Sequence, residues 1–450
     1  MLFVWLSSSL EKNLMNWHEP RNKGWLNARV IAWATFDIGT TIFSMVVISR
    51  YFAPWIVEQM HGSVFSLNAT MSVSMLVSAL LQVFLSPISD ELGRRRIFVF
   101  TFTMFCIGAC ALMSSVSALT AALILFLIAN IGYQSAFVFY SAMLGDVSDD
   151  RHRARISGLG IGLGYVGSIL GLLVSEQVVD PKYHFYSEVF SITAALVLLF
   201  TLPLFLFVQE KRSFVRLNLA QSLQNSVGSF ITTLRRIARH KEMLFFFIGC
   251  LLALDAVHTV TLNMSLYCKA VVGLDDVNPL KWKGHEVLPF PMSEMNLFLS
   301  VSAAFGILGA FLFGHIADKT SHYKTLLAVL ILWMGVLIMA MFSVQRKLFW
   351  FTGPLFGLGY GGIWTVSRAY LLDLCHPEER GQMFAIYGLV SKGAAILGPL
   401  VWGVVFTQFQ PVVGERKAYR LSIAAILILV SIGYWVLLQG SPRKAKTPSY

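Results

Sequence analysis

Long apolar runs separated by short polar stretches recur along the whole chain, and most runs are close to the ~20 residues that a helix needs to cross a bilayer. The runs are continuous and do not alternate with a period of two, which excludes the strands of an outer-membrane barrel. The pattern predicts twelve membrane-spanning helices, at about residues 29–53, 67–88, 96–116, 118–142, 155–178, 186–208, 244–268, 294–315, 323–343, 347–373, 381–408 and 420–439.

The spans form two groups of six, separated by one long basic linker. We therefore expect an N-terminal segment, two six-helix halves around the linker, and a C-terminal tail, at residues 1–28, 29–208, 209–243, 244–439 and 440–450. Composition agrees, because 56% of the 450 residues are hydrophobic and only 13% are charged, against about 25% charged in soluble domains. The predicted fold class is an all-α membrane protein.

An internal repeat supports this division. Three features recur 227 or 228 positions later, namely Asp90 as Asp318, Asp146 as Asp373, and the Ile-Leu-Gly of residues 169–171 at 396–398. An acid followed four residues later by threonine occurs in the first span at Asp37 and in the seventh at Asp255, an offset of 218. We expect these two acids to occupy equivalent places. Such repeats are typical of transporters whose halves enclose a site at mid-membrane.

Ionisable groups inside a span cost about 2.5 to 3.5 kcal/mol on insertion scales, so they face a cavity or a partner. Five such groups stand out: Asp37, Asp255, His258, Arg368 and Lys392. By the 227-residue offset, Arg368 and Lys392 replace Ser141 and Tyr165, so the cations occur in one half only. This asymmetry predicts a substrate site. The alternative is that the acids and bases pair structurally across the two halves.

Polar and aromatic side chains near these charges are candidates for the wall of the site, since such groups orient small ligands. They are Trp33, Asn130, Tyr133, Gln134, Trp364 and Tyr387. Arg50 and His315 are left out, because near the span ends they can reach the interface. Glycines spaced by four within 160–171 and 353–361 predict close packing faces that also permit rocking.

Several other chemistries find no support in the sequence. Residues 162–167 match G-x-G-x-x-G, but they follow no strand and lie within a span, so a dinucleotide site is not indicated. The spans supply no metal-ligand spacing and no Ser/His/Asp constellation for an intramembrane hydrolase. We expect no metal, no cofactor and no enzymatic activity.

The polar loop at 86–96, between the second and third spans, resembles the signature loop between helices 2 and 3 of the major facilitator superfamily. The resemblance rests on an acid, a glycine and a run of arginines. It implies a cytoplasmic latch that is closed when the protein opens outward. With the repeat, the latch residues are Asp90, Gly93, Arg94, Arg95, Asp146, Asp318, Asp373 and Arg380.

Longer stretches look like the vacuolar effluxer family, whose eukaryotic namesake is associated with autophagy and amino-acid efflux. They include Trp-Ala-Thr-Phe-Asp at 33–37, Arg-Ile-Ser-Gly-Leu-Gly at 155–160 and Leu-Gly-Pro-Leu at 397–400. The resemblance implies a secondary transporter that moves a small organic solute by alternating access. It favours efflux of an amino acid or a related anionic or zwitterionic metabolite.

Proton coupling through Asp37 or Asp255 is expected, because carboxylates without a fixed counter-ion can be protonated in one state and ionised in the other. Two other functions remain open. A carrier of lysolipids or other amphiphiles would have a cavity that opens sideways to lipid. A membrane sensor on the same fold would bind solute without flux.

The net charge of +11 does not indicate a nucleic-acid partner, because the basic residues fall in short loops on alternate sides. Of 35 lysines and arginines, 23 lie at one side of the spans and 9 at the other. This bias predicts cytoplasmic termini in a bacterial inner membrane or an organelle membrane.

The linker at 209–243 interleaves arginines with apolar residues, which predicts a helix on anionic lipid. The loop at 269–292 is rich in proline and is expected to form an irregular cap over the external opening. We expect the protein to be a monomer.

Single-cysteine labelling tests this orientation. A cysteine at Ser213, in the linker, should react with an impermeant maleimide only when the cytoplasmic side is exposed. A cysteine at His61, in the first predicted outer loop, should show the opposite pattern. Labelling of the Ser213 position from outside would contradict the predicted topology.

Overall fold

The computed structural model describes residues 26–92, 94–147, 153–179, 186–208, 228, 232, 235, 237–274, 281–282, 285–286, 292–343, 345–374, 380–393 and 395–441. In these ranges the helices of ten residues or more are α1 Ala28–Ile42, α2 Val64–Leu92, α3 Arg95–Met113, α4 Leu119–Ala142, α5 Arg153–Glu176, α6 Ser187–Phe207, α7 Lys241–Tyr267, α8 Glu294–Lys319, α9 His322–Phe342, α10 Thr352–Leu374, α11 Arg380–Gly393, α12 Leu397–Val413 and α13 Glu415–Gln439.

The first span is longer than its predicted limits. After α1 the chain continues as a π-helix (Phe43–Tyr51), one α-helical turn (Phe52–Pro54) and a second π-helix (Trp55–Gln59), without a break. The seventh span ends in the same way, with a π-helix at Cys268–Val272. The wide turns of a π-helix are uncommon in proteins. Where they occur, they are often at functional sites.

The predicted twelve-span architecture in two halves is confirmed. Among the described residues, ten helices are long and apolar enough to cross a membrane, and α12 is a shorter apolar helix. The glycine-rich α10 is the tenth span, and α11 and α12 share the eleventh. The loop before α8 contains a small hairpin of β1 (Lys281–Trp282) and β2 (His285–Glu286), in which Lys281 pairs with Glu286.

The eleventh span was predicted to be continuous over 381–408, which is wrong. α11 ends at Gly393 and α12 begins at Leu397. Pro399 has no N–H to donate to the carbonyl four residues earlier, which removes one hydrogen bond of the helical ladder next to the break. The interruption places irregular backbone inside the membrane, which is tolerated only where protein or a cavity surrounds it.

Each half is a tightly packed body. In the first half α1 packs on α5 and α6, and α3 packs on α4; in the second half α8 packs on α10, and α13 packs on α7 and α12. The halves meet where α2 packs on α12, α5 packs on α8, and the π-helical part of the first span packs on α7. The central interface is therefore formed by helices of both halves.

The glycine stripes join helices within a half, not between halves. A Cβ atom at Gly167 of α5 would lie 2.6 Å from the Ile38 carbonyl oxygen of α1. A Cβ at Gly361 of α10 would collide with the Gly306 carbonyl oxygen of α8. The stripes were expected to permit rocking as well as packing. Because both lie inside a half, they make each half rigid, and the movement must occur elsewhere.

The register between the first and seventh spans differs from the sequence expectation. The π-helix at 55–59 corresponds to that at 268–272, which gives an offset of 213 positions instead of 218. By this offset, Cys250 in the seventh span occupies the position that Asp37 has in the first span.

Glycine contacts give the same register. Gly171 lies against Ile42, and its repeat Gly398 lies against Asp255, so Asp255 takes the place of Ile42. The expectation that Asp37 and Asp255 are equivalent is wrong. They differ by about five residues, or about 7.5 Å along a helix axis, and they have different surroundings.

Replacing Gly361 by alanine should lower the free energy of unfolding by about 1 to 3 kcal/mol, because the new methyl group has no space between α8 and α10. The melting temperature of the detergent-solubilised protein measures this effect. Gly335→Ala, on α9, is the matched control, since its Cβ meets no atom within 4 Å and alanine favours a helix. Equal melting temperatures for the two variants would contradict the packing described here.

Candidate functional site

Asp37 is fixed by groups from three helices. It is 7% exposed, and the Tyr140 hydroxyl of α4 donates to its Oδ2 at 2.7 Å. The Tyr140 ring stacks on Trp33 and Phe36, with centroids 4.6 and 4.4 Å apart. On α5, Gly160 leaves room for the carboxylate, because any side chain there would collide with it. The sequence therefore specifies the orientation of this acid in detail.

Arg368 approaches the same region from the other half. Its guanidinium lies over the Trp364 ring, 5.6 Å from the centroid. It is within electrostatic range of Asp37, Tyr165 and Tyr360. In the described part of the chain no carboxylate lies within ion-pair distance of it. An acid of one half and a cation of the other thus lie within electrostatic range of each other.

Aromatic residues with polar tips lie close to these two charges. The Tyr133 hydroxyl of α4 lies close to Ser44 and is within electrostatic range of Asp37 and Tyr360. Tyr165 of α5 lies against α8, where a Cβ at Gly306 would be 3.1 Å from its ring. Tyrosine hydroxyls donate and accept hydrogen bonds without carrying a charge. They suit the orientation of a small polar ligand.

The second half carries a modified copy of the Asp37 arrangement. The Tyr387 hydroxyl of α11 is 2.6 Å from Ser367 Oγ of α10. By the 227-residue offset, Ser367 replaces Tyr140, and Tyr387 replaces Gly160. The tyrosine hydroxyl therefore comes from α4 in the first half and from α11 in the second. Cys250 occupies the position that Asp37 has in the first half.

Of the remaining predicted site residues, Asn130 has other surroundings, whereas His258 contacts the same Trp364 ring as Arg368. Asn130 is buried inside the first half, where its amide donates to Ser74 Oγ at 2.6 Å and to Met71 Sδ at 3.4 Å. The His258 ring packs edge-on against Trp364, with centroids 6.0 Å apart. Gln134 is buried on α4. The Lys392 side chain lies outside the described residues.

Among the described residues of the predicted latch, Arg95 and Asp146 form an ion pair in the first half. Arg95 Nη1 lies 3.4 Å from Asp146 Oδ2 and also donates to the Ala142 carbonyl at 3.3 Å. Arg94 is exposed at the start of α3. Gly93 and the side chains of Asp90 and Arg380 lie outside the described residues.

The second half has an equivalent pair that sequence reasoning missed. His322 Nδ1 lies 2.6 Å from Asp373 Oδ2, and its Nε2 lies 3.6 Å from Asp318 Oδ1. His322 is 227 positions after Arg95, so the repeat offset could have identified it. Each pair joins helices of its own half. We call this end of the bundle the latch end.

A buried polar network connects the halves at the opposite end. Arg50 Nε donates to Asn296 Oδ1 at 2.6 Å, and the Asn296 amide donates to the Tyr51 hydroxyl at 3.1 Å and to Glu176. The Ser293 hydroxyl donates to Glu176 at 2.9 Å. We call these five residues the far-end network.

The expectation that Arg50 reaches the interface is wrong, because its side chain is 0% exposed. An arginine within the predicted span 29–53 was the signal. Further contacts cross between the halves towards the same end: Lys269 with Glu58 at 2.6 Å, Ser265 with the Ser49 carbonyl at 2.6 Å, and Asn68 with Asn263 at 2.9 and 3.1 Å. The far end is therefore closed in this structure.

Comparison with known proteins agrees with this architecture. The family model of the Major Facilitator Superfamily matches residues 35–292 and 285–449. An uncharacterized protein of Aquifex aeolicus is 25% identical over 414 residues, covering 91% of this chain and 96% of its own. The uncharacterized MFS-type transporter YxiO of Bacillus subtilis is 24% identical over 434 residues, covering 92% and 95%. Autophagy-related protein 22-1 of Neosartorya fischeri is 24% identical over 305 residues, covering 61% and 46%.

Solved structures show the same fold. The nucleoside transporter NupG, crystallised as a mutant, superposes with a TM-score of 0.72 at 10% identity, covering 92% of this chain and 100% of its own. A bacterial homologue of the human lysosomal transporter Spinster, inward-facing and unoccupied, gives a TM-score of 0.69 at 12% identity, covering 93% and 98%. The chain belongs to the major facilitator superfamily, its relatives include the autophagy-related vacuolar effluxers, and it is a membrane transporter rather than an enzyme.

Proposed function

We propose that this transporter exports a small solute that carries a carboxylate, an amino acid or a related anionic or zwitterionic metabolite, through a site between Asp37 and Arg368. The supporting observation is that these opposite charges come from different halves and that no described carboxylate pairs with Arg368. A guanidinium binds a carboxylate in a bidentate manner. A zwitterion could therefore bridge the two halves.

Tyrosines around this pair would select for a small polar ligand. Tyr133, Tyr165 and Tyr360 lie close to one or both charges and offer hydroxyl groups with apolar ring faces. The Lys392 position on α11 adds a possible second cation for an anionic group. Efflux follows from the resemblance to the vacuolar effluxers and is part of the proposal.

Alternating access follows from the distribution of contacts. The far-end network spans both halves, whereas Arg95 with Asp146 and His322 with Asp373 each stay inside one half. We infer that the halves part at the latch end while the far-end network is intact. The network must break when they part at the far end. With the predicted topology, the latch end is the cytoplasmic end.

We also propose that the basic linker between the halves binds anionic lipid. Arg235, Arg239 and His240 line an open cavity of about 500 Å³ together with Thr232. Ile237 between them is buried against the hydrophobic core. A basic surface attached to the bundle in this way suits phosphate head groups of the adjacent leaflet.

Arg368→Gln should weaken binding of a carboxylate solute about tenfold to a hundredfold, because a hydrogen bond to a charged group contributes about 1.5 to 3 kcal/mol. A thermal-shift screen of amino acids, organic acids, peptides and lysolipids would identify the solute, and uptake into proteoliposomes would measure flux. The amide of the same solute should lose much less affinity. Lys347→Gln, an exposed cation at the far end, is the matched control.

Three outcomes would contradict this proposal. If Asp37→Asn and Arg368→Gln each inactivate the protein and the double variant restores it, the charges form a structural pair. Binding without flux would indicate a sensor. A response to lysolipids alone would indicate an amphiphile carrier.

Asn296→Ala should open the far end, because Asn296 connects Arg50 and Tyr51 of one half with α8 of the other. Ser300, one turn further along α8, is 8% exposed and would report the opening. In a protein with cysteine at Ser300, labelling from the far side should increase several-fold when Asn296 is replaced.

The matched control is Ser191→Ala, which removes a 2.7 Å hydrogen bond to Ser114 within the first half. It should leave labelling of the Ser300 position unchanged. Equal labelling with and without Asn296→Ala would show that the far-end network does not keep the halves together.

A further inference from the structure

Asp255 is a buried acid without a partner among the described residues. It is 0% exposed, and neither carboxylate oxygen accepts a hydrogen bond there. The Thr259 hydroxyl donates to the backbone carbonyl of Asp255 at 2.7 Å and not to its carboxylate. The backbone N–H of Gly398 is a nearby donor whose geometry falls short of a hydrogen bond. Burying an isolated ionised carboxylate in this way is very costly.

The acid lies beside the break in the eleventh span. A Cβ at Gly398, the second residue of α12, would be 3.0 Å from the Asp255 carboxyl carbon. Asp255 therefore lies beside the first turn of α12, where the backbone N–H groups have no partner within their own helix. Interrupted helices are a general way to place ion sites inside a membrane.

The break also contacts the opposite half. Ser72 of α2 donates to the Ile396 carbonyl at 2.9 Å. One turn before Ser72, Asn68 bonds to Asn263, which lies two turns beyond Asp255 on the same helix. The surroundings of Asp255 therefore depend on how the halves are arranged, and its hydration would change when they move.

Asp37 differs in each of these respects. It accepts a hydrogen bond from Tyr140 and is within electrostatic range of Arg368. Arg368 exerts no comparable influence on Asp255. The protein thus compensates the charge of one acid and leaves the other without compensation from the described residues.

Other ionisable groups near Asp255 have their own contacts. On α7 the His258 ring packs against Trp364, and on α11 the Tyr387 hydroxyl bonds to Ser367. The Lys392 side chain of α11 lies outside the described residues.

We propose that Asp255, at the break between α11 and α12, binds the coupling cation, a proton or a sodium ion, and that Asp37 contacts the solute instead. Both cations have the same chemical role, which is to neutralise a buried carboxylate. The inference rests on the proposed transport function and assigns its coupling to one of two acids. Movement of the halves would hydrate the site and release the cation, which links release to the conformational change.

The test measures the melting temperature of the purified full-length protein without solute. One series varies NaCl at fixed pH, with choline chloride keeping the ionic strength constant, and the other varies pH without sodium. The wild type should gain about 1 to 3 °C for each tenfold rise in the cation that it binds. The effect of Asp255→Asn is the difference between its response and that of the wild type in each series.

Asp255→Asn should lose this response in the series of the cation that is bound. The matched variant Asp37→Asn should retain it fully in the NaCl series and should retain the larger part of it in the pH series, because Asp37 is itself a buried acid and its protonation also contributes. A response to NaCl identifies a sodium site, and a response to pH alone identifies a proton site; both support the proposal. Gly398→Ala keeps the acid but crowds it, so the response should require a higher cation concentration. This second variant remains informative if Asp255→Asn does not fold.

A full wild-type response in Asp255→Asn would overturn the proposal, as would loss of the response in Asp37→Asn. A wild type that responds to neither cation would also overturn it. Because no solute is present, these results do not depend on the Arg368 experiment. A failure of cation binding can therefore be distinguished from a failure of the proposed solute site.

Discussion

The bilayer interior cannot solvate polar groups, and this constraint determines where the charges of this protein lie. Arg50, Asp37, Asp255 and Arg368 all project between helices rather than towards lipid. Arg50 bonds to the opposite half, and Arg368 lies within electrostatic range of Asp37, so these charges collect near the surface between the halves. The same surface must open and close during transport, so the cost of hydrating or drying these groups becomes part of the transport cycle.

Two kinds of contact have different mechanical roles. Glycines such as Gly167 and Gly361 bring helix backbones together within a half, and these contacts leave no space for sliding. Contacts between the halves include hydrogen bonds and an ion pair, which water can replace at a moderate free-energy cost. The movement is therefore expected at the far-end network and around Arg368, while each half moves as a unit.

The repeat provides the scaffold, and the departures from it provide the chemistry. Arg95 and His322 occupy equivalent places and bind equivalent acids, so the latch keeps its geometry with a different base. Near mid-membrane the copies diverge: Cys250 takes the place of Asp37, and Asp255 takes the place of Ile42. Opposite charges and an uncompensated acid thus arise at positions where the other half has neutral residues.

The sequence by itself determined the number of spans, the two halves, the family and the identity of the ionisable residues, because bilayer thickness and backbone hydrogen bonding act locally along the chain. It did not determine which face each helix turns to its neighbours, since these helices are apolar on nearly every side. Only the tertiary structure showed that Asn130 lies against Ser74 and that Arg50 has a partner in the other half. It also showed that the register relating the first and seventh spans differs by five residues from the one expected. Those contacts join residues that are distant in sequence, and their energies depend on packing between helices that no local pattern records.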